Sequence, residues 1–192
     1  MRTSGAGGVP AIAPSRWVER FLPGVAPGGT VLDVACGSGR HFAPVLAAGC
    51  RVVGVDRDLA AARHAWSNDP RVSLVEADLE TGDAPPFRGQ QFAGVVVTNY
   101  LWRQLFPDII AAVAEDGLLI YETFMQGQER IGRPSRPEFL LRPGELLEWV
   151  AGRLAVVAFE HVRLKQPDRL VQRIVAAGRR HPWPATDAPP PG

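Results

Sequence analysis

The chain predicts an α/β fold, a mainly parallel sheet with helices on both faces, and three observations carry that reading. Short apolar runs alternate with helix-period segments along most of the 192 residues. The first such run, Thr30-Val-Leu-Asp-Val-Ala-Cys-Gly-Ser-Gly-Arg40, breaks from a strand into a glycine turn and then opens a helix. The last two runs, 154–164 and 169–177, are joined only by Lys165-Gln-Pro-Asp168, so tight a connection that they pair antiparallel.

Each element follows from its local pattern. Residues 15–22 predict a short helix with Trp17, Val18, Phe21 and Leu22 on one face, stopped by Pro23-Gly24. A strand over about 30–35 precedes a helix over about 39–48 that ends at Gly49. Residues 51–56 form the second strand. Asp58 caps a helix with Leu59, Ala62 and Trp66 on one stripe, ended by Asn68-Asp69-Pro70. The third strand is 72–77, and the Pro/Gly-containing stretch 80–91 is loop. Residues 92–98 lack polar alternation, as a strand buried on both faces does. Pro107 and Asp108 open a helix with Ile109, Ile110 and Val113 inward, and 117–123 is the fifth strand. After the irregular stretch 124–142, Pro143 starts a helix carrying Leu146, Leu147 and Val150.

Composition bounds the class. With 46% hydrophobic residues, the chain suffices for one full core but not two. Residues 1–13, rich in Gly, Ala and Pro, predict a flexible N-terminus, 14–180 the folded domain, and 181–192 a flexible proline-rich tail. A net charge of +1 suggests no polyanionic partner, so no nucleic acid is expected. Arg is favoured over Lys, Lys165 being the only lysine, which reads as compositional bias. Cys36 and Cys50 have neither metal nor disulfide spacing and read as small buried hydrophobes in a reducing compartment. No secretion signal and no membrane-length apolar run is present, so the expectation is a soluble, cytoplasmic protein.

The strand ends carry the chemistry. Gly37 and Gly39 let the turn take positive φ and let a ligand lie against the backbone, with the amides of the following helix facing it. Asp56 ends the second apolar run, where a carboxylate accepts hydrogen bonds from both hydroxyls of a ribose. Asp78 ends the third. A dinucleotide site reads Gly-x-Gly-x-x-Gly, and here the third position is Phe42, a poor fit to a pyrophosphate clamp. Asp33 with the glycines, then Asp56, then Asp78, resembles the S-adenosylmethionine (SAM) site of class I methyltransferases. Ala35 stands where that family often has its first glycine. The resemblance implies a Rossmann-like doubly wound seven-stranded sheet, ordered 3-2-1-4-5-7-6 with strand 7 antiparallel. It implies SAM as cofactor, held by Asp33, Ala35, Gly37, Gly39, Asp56, Arg57, Asp78, Leu79 and Asn99.

The fourth strand delivers Thr98-Asn99-Tyr100-Leu-Trp-Arg103 and the fifth Tyr121-Glu122-Thr123 to the same sheet edge. Asn99-Tyr100 lacks the prolines with which amino-methyltransferases of DNA and protein hold a planar amine, so neither a base nor a glutamine acceptor is inferred. Glu-Thr-Phe at 122–124, Gly-Arg-Pro at 132–134 and Phe139-Leu-Leu-Arg-Pro-Gly-Glu-Leu146 resemble small bacterial methyltransferases grouped with tellurite-resistance-type proteins. That likeness spans about residues 15–180 and implies transfer of methyl to a small-molecule acceptor that it does not name. Tyr100 and Glu122 are candidate bases. Tyr100 can instead pack over the cofactor, and Glu122 can instead anchor a lid through Arg133 or Arg103. His41 and His64 read as helix-surface residues, Trp102 stands where relatives carry His, and no metal spacing is present. Residues 124–141 are too apolar for a solvated linker and read as a lid, with Arg133 pinning it to Glu122 or Glu129. The rival readings are a SAM-binding module without turnover and a nucleotide-dependent oxidoreductase.

Overall fold

The structure is a computed structural model that describes residues 13–183. The ends of the chain expected to be flexible, 1–12 and 184–192, lie outside the described residues. In chain order the elements are α1 (Arg16–Phe21), β1 (Thr30–Val34), α2 (Phe42–Ala47), β2 (Arg51–Asp56), α3 (Ala60–Trp66) and β3 (Val72–Glu76). Then come β4 (Phe92–Thr98), α4 (Phe106–Ala111), β5 (Val113–Phe124), α5 (Glu145–Val150), β6 (Ala155–Lys165) and β7 (Asp168–Ala177). The sheet runs β3-β2-β1-β4-β5-β7-β6. β7 pairs antiparallel with β5 and β6, and the other pairs are parallel. Both order and direction are those expected. Among the described residues no helix is long and apolar enough to cross a membrane.

Side chains that alternate along each strand feed two separate cores. Val31, Val96, Leu118, Ile120 and Val175 pack with Trp17, Phe21 and Phe42 on one face. Leu32, Val34, Val95, Val97, Leu119 and Tyr121 pack with Phe106, Ile109, Leu146 and Val150 on the other. On the first face Ser15 caps α1 by accepting from Trp17 N. The Trp17 indole N–H then reaches Ile174 O (3.4 Å) and the Arg173 guanidinium lies over its ring (4.5 Å). α1 is thereby fastened to β7, far away in sequence.

Several local expectations need correction. α2 begins at Phe42, not 39, so the amides facing the sheet edge belong to the glycine turn itself. Val113 lies in β5, paired with Phe92, because a register shift there lets the strand begin before Gly117. Leu147 points outward, and its expected inward place is taken by Glu145, which is buried. The folded part also runs past residue 180. His181 is buried, with Nε2 2.9 Å from Gly24 O, and Trp183 packs edge-on against Phe21.

Phe42 has a structural reason to stand where a dinucleotide motif has glycine. Its ring is fully buried and fills a socket between two glycines. A Cβ on Gly39 would lie 2.7 Å from the ring, and one on Gly54 of β2 would lie 2.5 Å from it. Gly37, by contrast, faces open space. Both turn glycines have left-handed φ (55° and 74°). Gly37→Ala should therefore cost only the left-handed strain, about 1–2 kcal/mol. Gly39→Ala adds overpacking of about 1–3 kcal/mol against Phe42. Denaturant unfolding of the two variants checks the order; equal losses would mean that Phe42 does not hold the turn.

Candidate functional site

At the carboxyl ends of β1, β2 and β3 lies a cavity of about 240 Å³. Of the expected cofactor residues, Ala35, Asp56, Arg57, Asp78 and Leu79 line it, as does Tyr100. Asp33, Gly37, Gly39, Asn99 and Glu122 do not. Glu80 and Ala77 complete the wall, neither singled out by sequence. β1 and β4 are adjacent strands whose connections leave in opposite directions, and each is followed directly by a non-glycine residue with left-handed φ, Ala35 (54°) and Asn99 (55°). Such backbone is costly for a side-chain-bearing residue and clusters where a site must be shaped.

The Asp56 carboxylate ties two turns together. It accepts from Gly37 N through Oδ2 (2.8 Å) and from Asp58 N through Oδ1 (3.0 Å). Each oxygen keeps a second lone pair, so the group can still take a diol. Asp78 accepts from Glu80 N through Oδ1 (2.9 Å) and is likewise half spent. Burial, and then Glu80, Asp78 and Asp56, push the Tyr100 phenol far above its ordinary value. Tyr100 is a poor base for that reason. Its backbone carbonyl is held by the Tyr121 hydroxyl (2.8 Å).

On the other face of the sheet edge, a buried polar network joins α1, the glycine turn, β5 and β7. His41, expected on a helix surface, is buried there at 1% exposure. It sits just before α2, where the chain still follows the turn inward. Ser15 N lies 3.3 Å from Nε2 and Asp33 Oδ2 lies 3.4 Å from Nδ1. An amide can only donate, so Nε2 accepts and the ring proton faces Asp33. Aspartate, histidine and serine here suggest a hydrolase triad, but the Ser15 hydroxyl is turned away and donates to Glu122 Oε1 (3.0 Å). No nucleophile is presented to the imidazole. His64 is exposed.

Glu122 is fully buried and meets Arg173 Nη1 (3.2 Å) and Arg169 Nη2 (3.4 Å), both from β7. It touches neither Arg103 nor Arg133, which corrects the expected lid anchor. Arg40 donates to Thr98 Oγ1 at the end of β4 (2.9 Å). Burial, followed by the nearby Arg169, lowers the Arg40 guanidinium's pKa.

The stretch after β5 is fastened by other residues. Its two ends lie together through Gln126 N to Leu141 O (2.9 Å) and Leu141 N to Phe124 O (3.0 Å). Met125, Leu140 and Leu141 are buried, whereas Arg130, Arg133 and Arg136 are exposed. Arg103 grips the stretch from the β4–α4 connection. It donates to Glu145 Oε1 (2.7 Å) and Oε2 (3.0 Å), to Glu138 O (2.8 Å) and to Leu140 O (2.9 Å). Burial pushes the Glu145 carboxyl up, but the Arg103 guanidinium and the Arg142 N–H outweigh it and hold its pKa below the ordinary range. Glu145 lies in the Phe139–Leu146 stretch and Arg103 at the end of the stretch that β4 delivers. Their partnership was hidden by the distance between them in sequence. Among the described residues no group of His, Cys, Asp or Glu is placed to hold a metal ion.

Residues 31–117 match a family model described as Methyltransferase domain. No curated protein matches the chain. Among solved structures, TehB from Haemophilus influenzae is similar with TM-score 0.64 at 15% identity, over 80% of this chain. The chain spans 58% of that protein's length. A SAM-dependent methyltransferase from Methanosarcina mazei is similar with TM-score 0.66 at 14% identity, over 87% of this chain and 99% of that one. A TehB-like SAM-dependent methyltransferase from Corynebacterium glutamicum gives 0.60 at 19% identity, over 84% and 87%. At these identities the structural likeness is one of fold. Residues 31–117 thus match a methyltransferase-domain model, and the chain has the fold of SAM-dependent methyltransferases, TehB-like proteins among them.

The Glu122 network yields a stability test. Glu122→Gln keeps the shape but removes the buried counter-charge shared by two half-buried arginines, of which Arg173 keeps Glu160 and Arg169 loses its carboxylate, a loss of about 3 kcal/mol. Denaturant unfolding at neutral pH measures it. A variant as stable as the parent would show that Glu122 is not the structural counter-charge.

Proposed function

We propose that the chain transfers a methyl group from SAM to a small-molecule acceptor. The observation that carries this reading is the charge of the cavity at the strand ends. Among the described residues Asp56, Asp78 and Glu80 line it, with Arg57 as the cation on its wall. Such a wall suits an uncharged nucleoside whose hydroxyls and exocyclic amine donate, and it repels phosphates. That argues against the dinucleotide-dependent oxidoreductase, as does the ring of Phe42 filling the place of the motif's third glycine. In this reading Asp56 holds the ribose and Asp78 lies beside the adenine, with Arg57 and Leu79 between them. Gly37 leaves the space over the turn open for the methionine part, with Asp33, Gly39, Ala35 and Asn99 shaping the backbone around it.

Methyl transfer from a sulfonium is an in-line displacement with a neutral leaving group, so alignment is the first requirement. Neither candidate base is suited to that role. Tyr100 is held neutral by burial and three carboxylates. Glu122 is committed to two arginines and Ser15. The chain's contribution is then positioning, for an acceptor whose reacting lone pair is already free. The strap over 125–141 serves as the lid that excludes water and orients the acceptor, and Arg103 rather than Arg133 fastens it.

Calorimetry with SAM and S-adenosylhomocysteine, beside mass-spectrometric turnover of an acceptor panel, tests the reading. Asp56→Asn should weaken cofactor binding by about 1.5–3 kcal/mol, one charged hydrogen bond to the diol. Binding of a nicotinamide dinucleotide without SAM would overturn the assignment. SAM binding with no turnover on any acceptor would leave the binding-module alternative. Arg103→Ala should cut turnover about tenfold or more with little change in cofactor affinity, because it frees the strap and leaves the cavity lining intact. Loss of SAM binding in that variant would refute the separation. The parent clamp should also weaken on acidification. A carboxyl with a lowered folded pKa stabilises above its unfolded value and loses that contribution as pH falls through the folded one.

A further inference from the structure

Arg40 is the charge that the polar network on the α1 side of the sheet edge leaves unanswered. Its guanidinium is half-buried, yet among the described residues its hydrogen-bond partner is a neutral hydroxyl, Thr98 Oγ1 (2.9 Å from Nη2). The carboxylates of the network are committed elsewhere, Asp33 to His41, and Glu122 to Arg169, Arg173 and Ser15. A cation taken partly out of water without a counter-charge is costly, and an anion relieves it.

A second guanidinium stands beside the first. Thr98 of β4 and Glu122 of β5 are register partners on adjacent parallel strands, so their side chains share a face about 5 Å apart. Arg40 rests on Thr98, and Arg169, from β7, rests on Glu122 (Nη2 to Oε1, 3.4 Å). Burial and then the Arg169 charge lower the Arg40 pKa, in keeping with two cations held side by side. Arg169 Nε is enclosed without a partner. Arg40 Nε and Nη1 and Arg169 Nη1 also have no hydrogen bond among the described residues, but they are not enclosed and can be reached by a ligand.

The place of this pair says which ligand it meets. The cavity lies at the ends of β1, β2 and β3, whereas Thr98 and Glu122 lie across β1 from it, at the ends of β4 and β5. A cofactor with its nucleoside at Asp56 and Asp78 turns its sulfonium toward β1 and β4, and in-line displacement puts the acceptor beyond it. The methionine end of that cofactor is a zwitterion whose ammonium two arginines repel, while a planar carboxylate matches the guanidinium fork. We propose that Arg40 and Arg169 hold the carboxylate of the methyl acceptor, which makes the substrate a small organic acid. This rests on the reading of the cavity as a SAM site.

The test is ligand-observed NMR titration of the S-adenosylhomocysteine complex with 4-hydroxybenzoate and 3-mercaptopropionate, each beside its neutral amide. The parent should bind at least one acid more tightly than its amide. Arg40→Met should weaken that acid about tenfold or more and leave the amide unchanged, the effect of losing a charged hydrogen bond. The melting temperature of the variant should stay the same or rise, because the cation it removes has no carboxylate partner. Equal binding of acids and amides by the parent, or no binding of either acid, would overturn the inference. A lower melting temperature accompanying the lost affinity would assign Arg40 a structural role instead. Calorimetry with S-adenosylhomocysteine and its decarboxylated analogue separates the other source of a carboxylate. If Arg40→Met weakened the first and not the second, the pair would belong to the cofactor and the acceptor assignment would fall. If the parent bound no S-adenosylhomocysteine, the SAM reading itself would fail, and this inference with it.

Discussion

The ring of Phe42 between Gly39 and Gly54 is the contact on which the sheet edge depends. It sets how closely the turn after β1 approaches β2. With that spacing fixed, Gly37 N reaches Asp56 Oδ2 across the gap, and Cys36 N reaches Val55 O (3.1 Å). The cavity then opens on the far side of the turn, where Ala35, Asp56 and Asp78 stand on consecutive strand ends. A smaller residue at 42 would leave a void in the fully buried core, and a Cβ on either glycine would push the turn outward. Phe42 thus does by filling what a third glycine does by omission: both set the distance between helix and strand.

The fold was legible because the information that specifies it is local. Val31-Leu32, Val52-Val53 and Val95 to Val97 are apolar without alternation, and strands buried on both faces read that way. The tight turn at Lys165–Asp168 dictated the antiparallel pair directly. Errors fell where register or helix phase is decided by distant partners. Val113 joins β5 because Phe92 pairs with it. Leu147 gives way to Glu145 because Arg103, from another connection, offers that carboxylate two donors. Helical periodicity alone would bury the leucine.

The candidate site divides along the same line. Asp56, Asp78 and the glycines sit at strand ends, a position readable from the apolar runs that precede them. His41 and the partners of Glu122 are not readable in that way. His41 is buried only because Ser15 and Asp33 converge on it from either side. Glu122 finds its arginines on β7, which lies beside β5 only through the last crossover of the sheet. Glu80 escaped notice because it lies past the strand end, turned into the cavity by the Asp78 side chain that accepts its N–H.

Two faces of one sheet edge thereby take different tasks. The face carrying Trp17 and His41 spends its charges on each other: Asp33 on histidine, Glu122 and Glu160 on arginines, the Ser15 hydroxyl on Glu122. These groups have few free lone pairs and act as a rigid floor fastened by α1. The carboxylates of the cavity wall keep theirs, because among the described residues Asp56 and Asp78 are bonded only by backbone amides, Asp56 by Gly37 N and Asp58 N and Asp78 by Glu80 N. Arg103 links the wall to the strap, standing three positions after Tyr100 and gripping Glu145, Glu138 O and Leu140 O at once. That grip holds the strap against the connection after β4, while Tyr100 itself is held separately by the Tyr121 hydroxyl on its carbonyl.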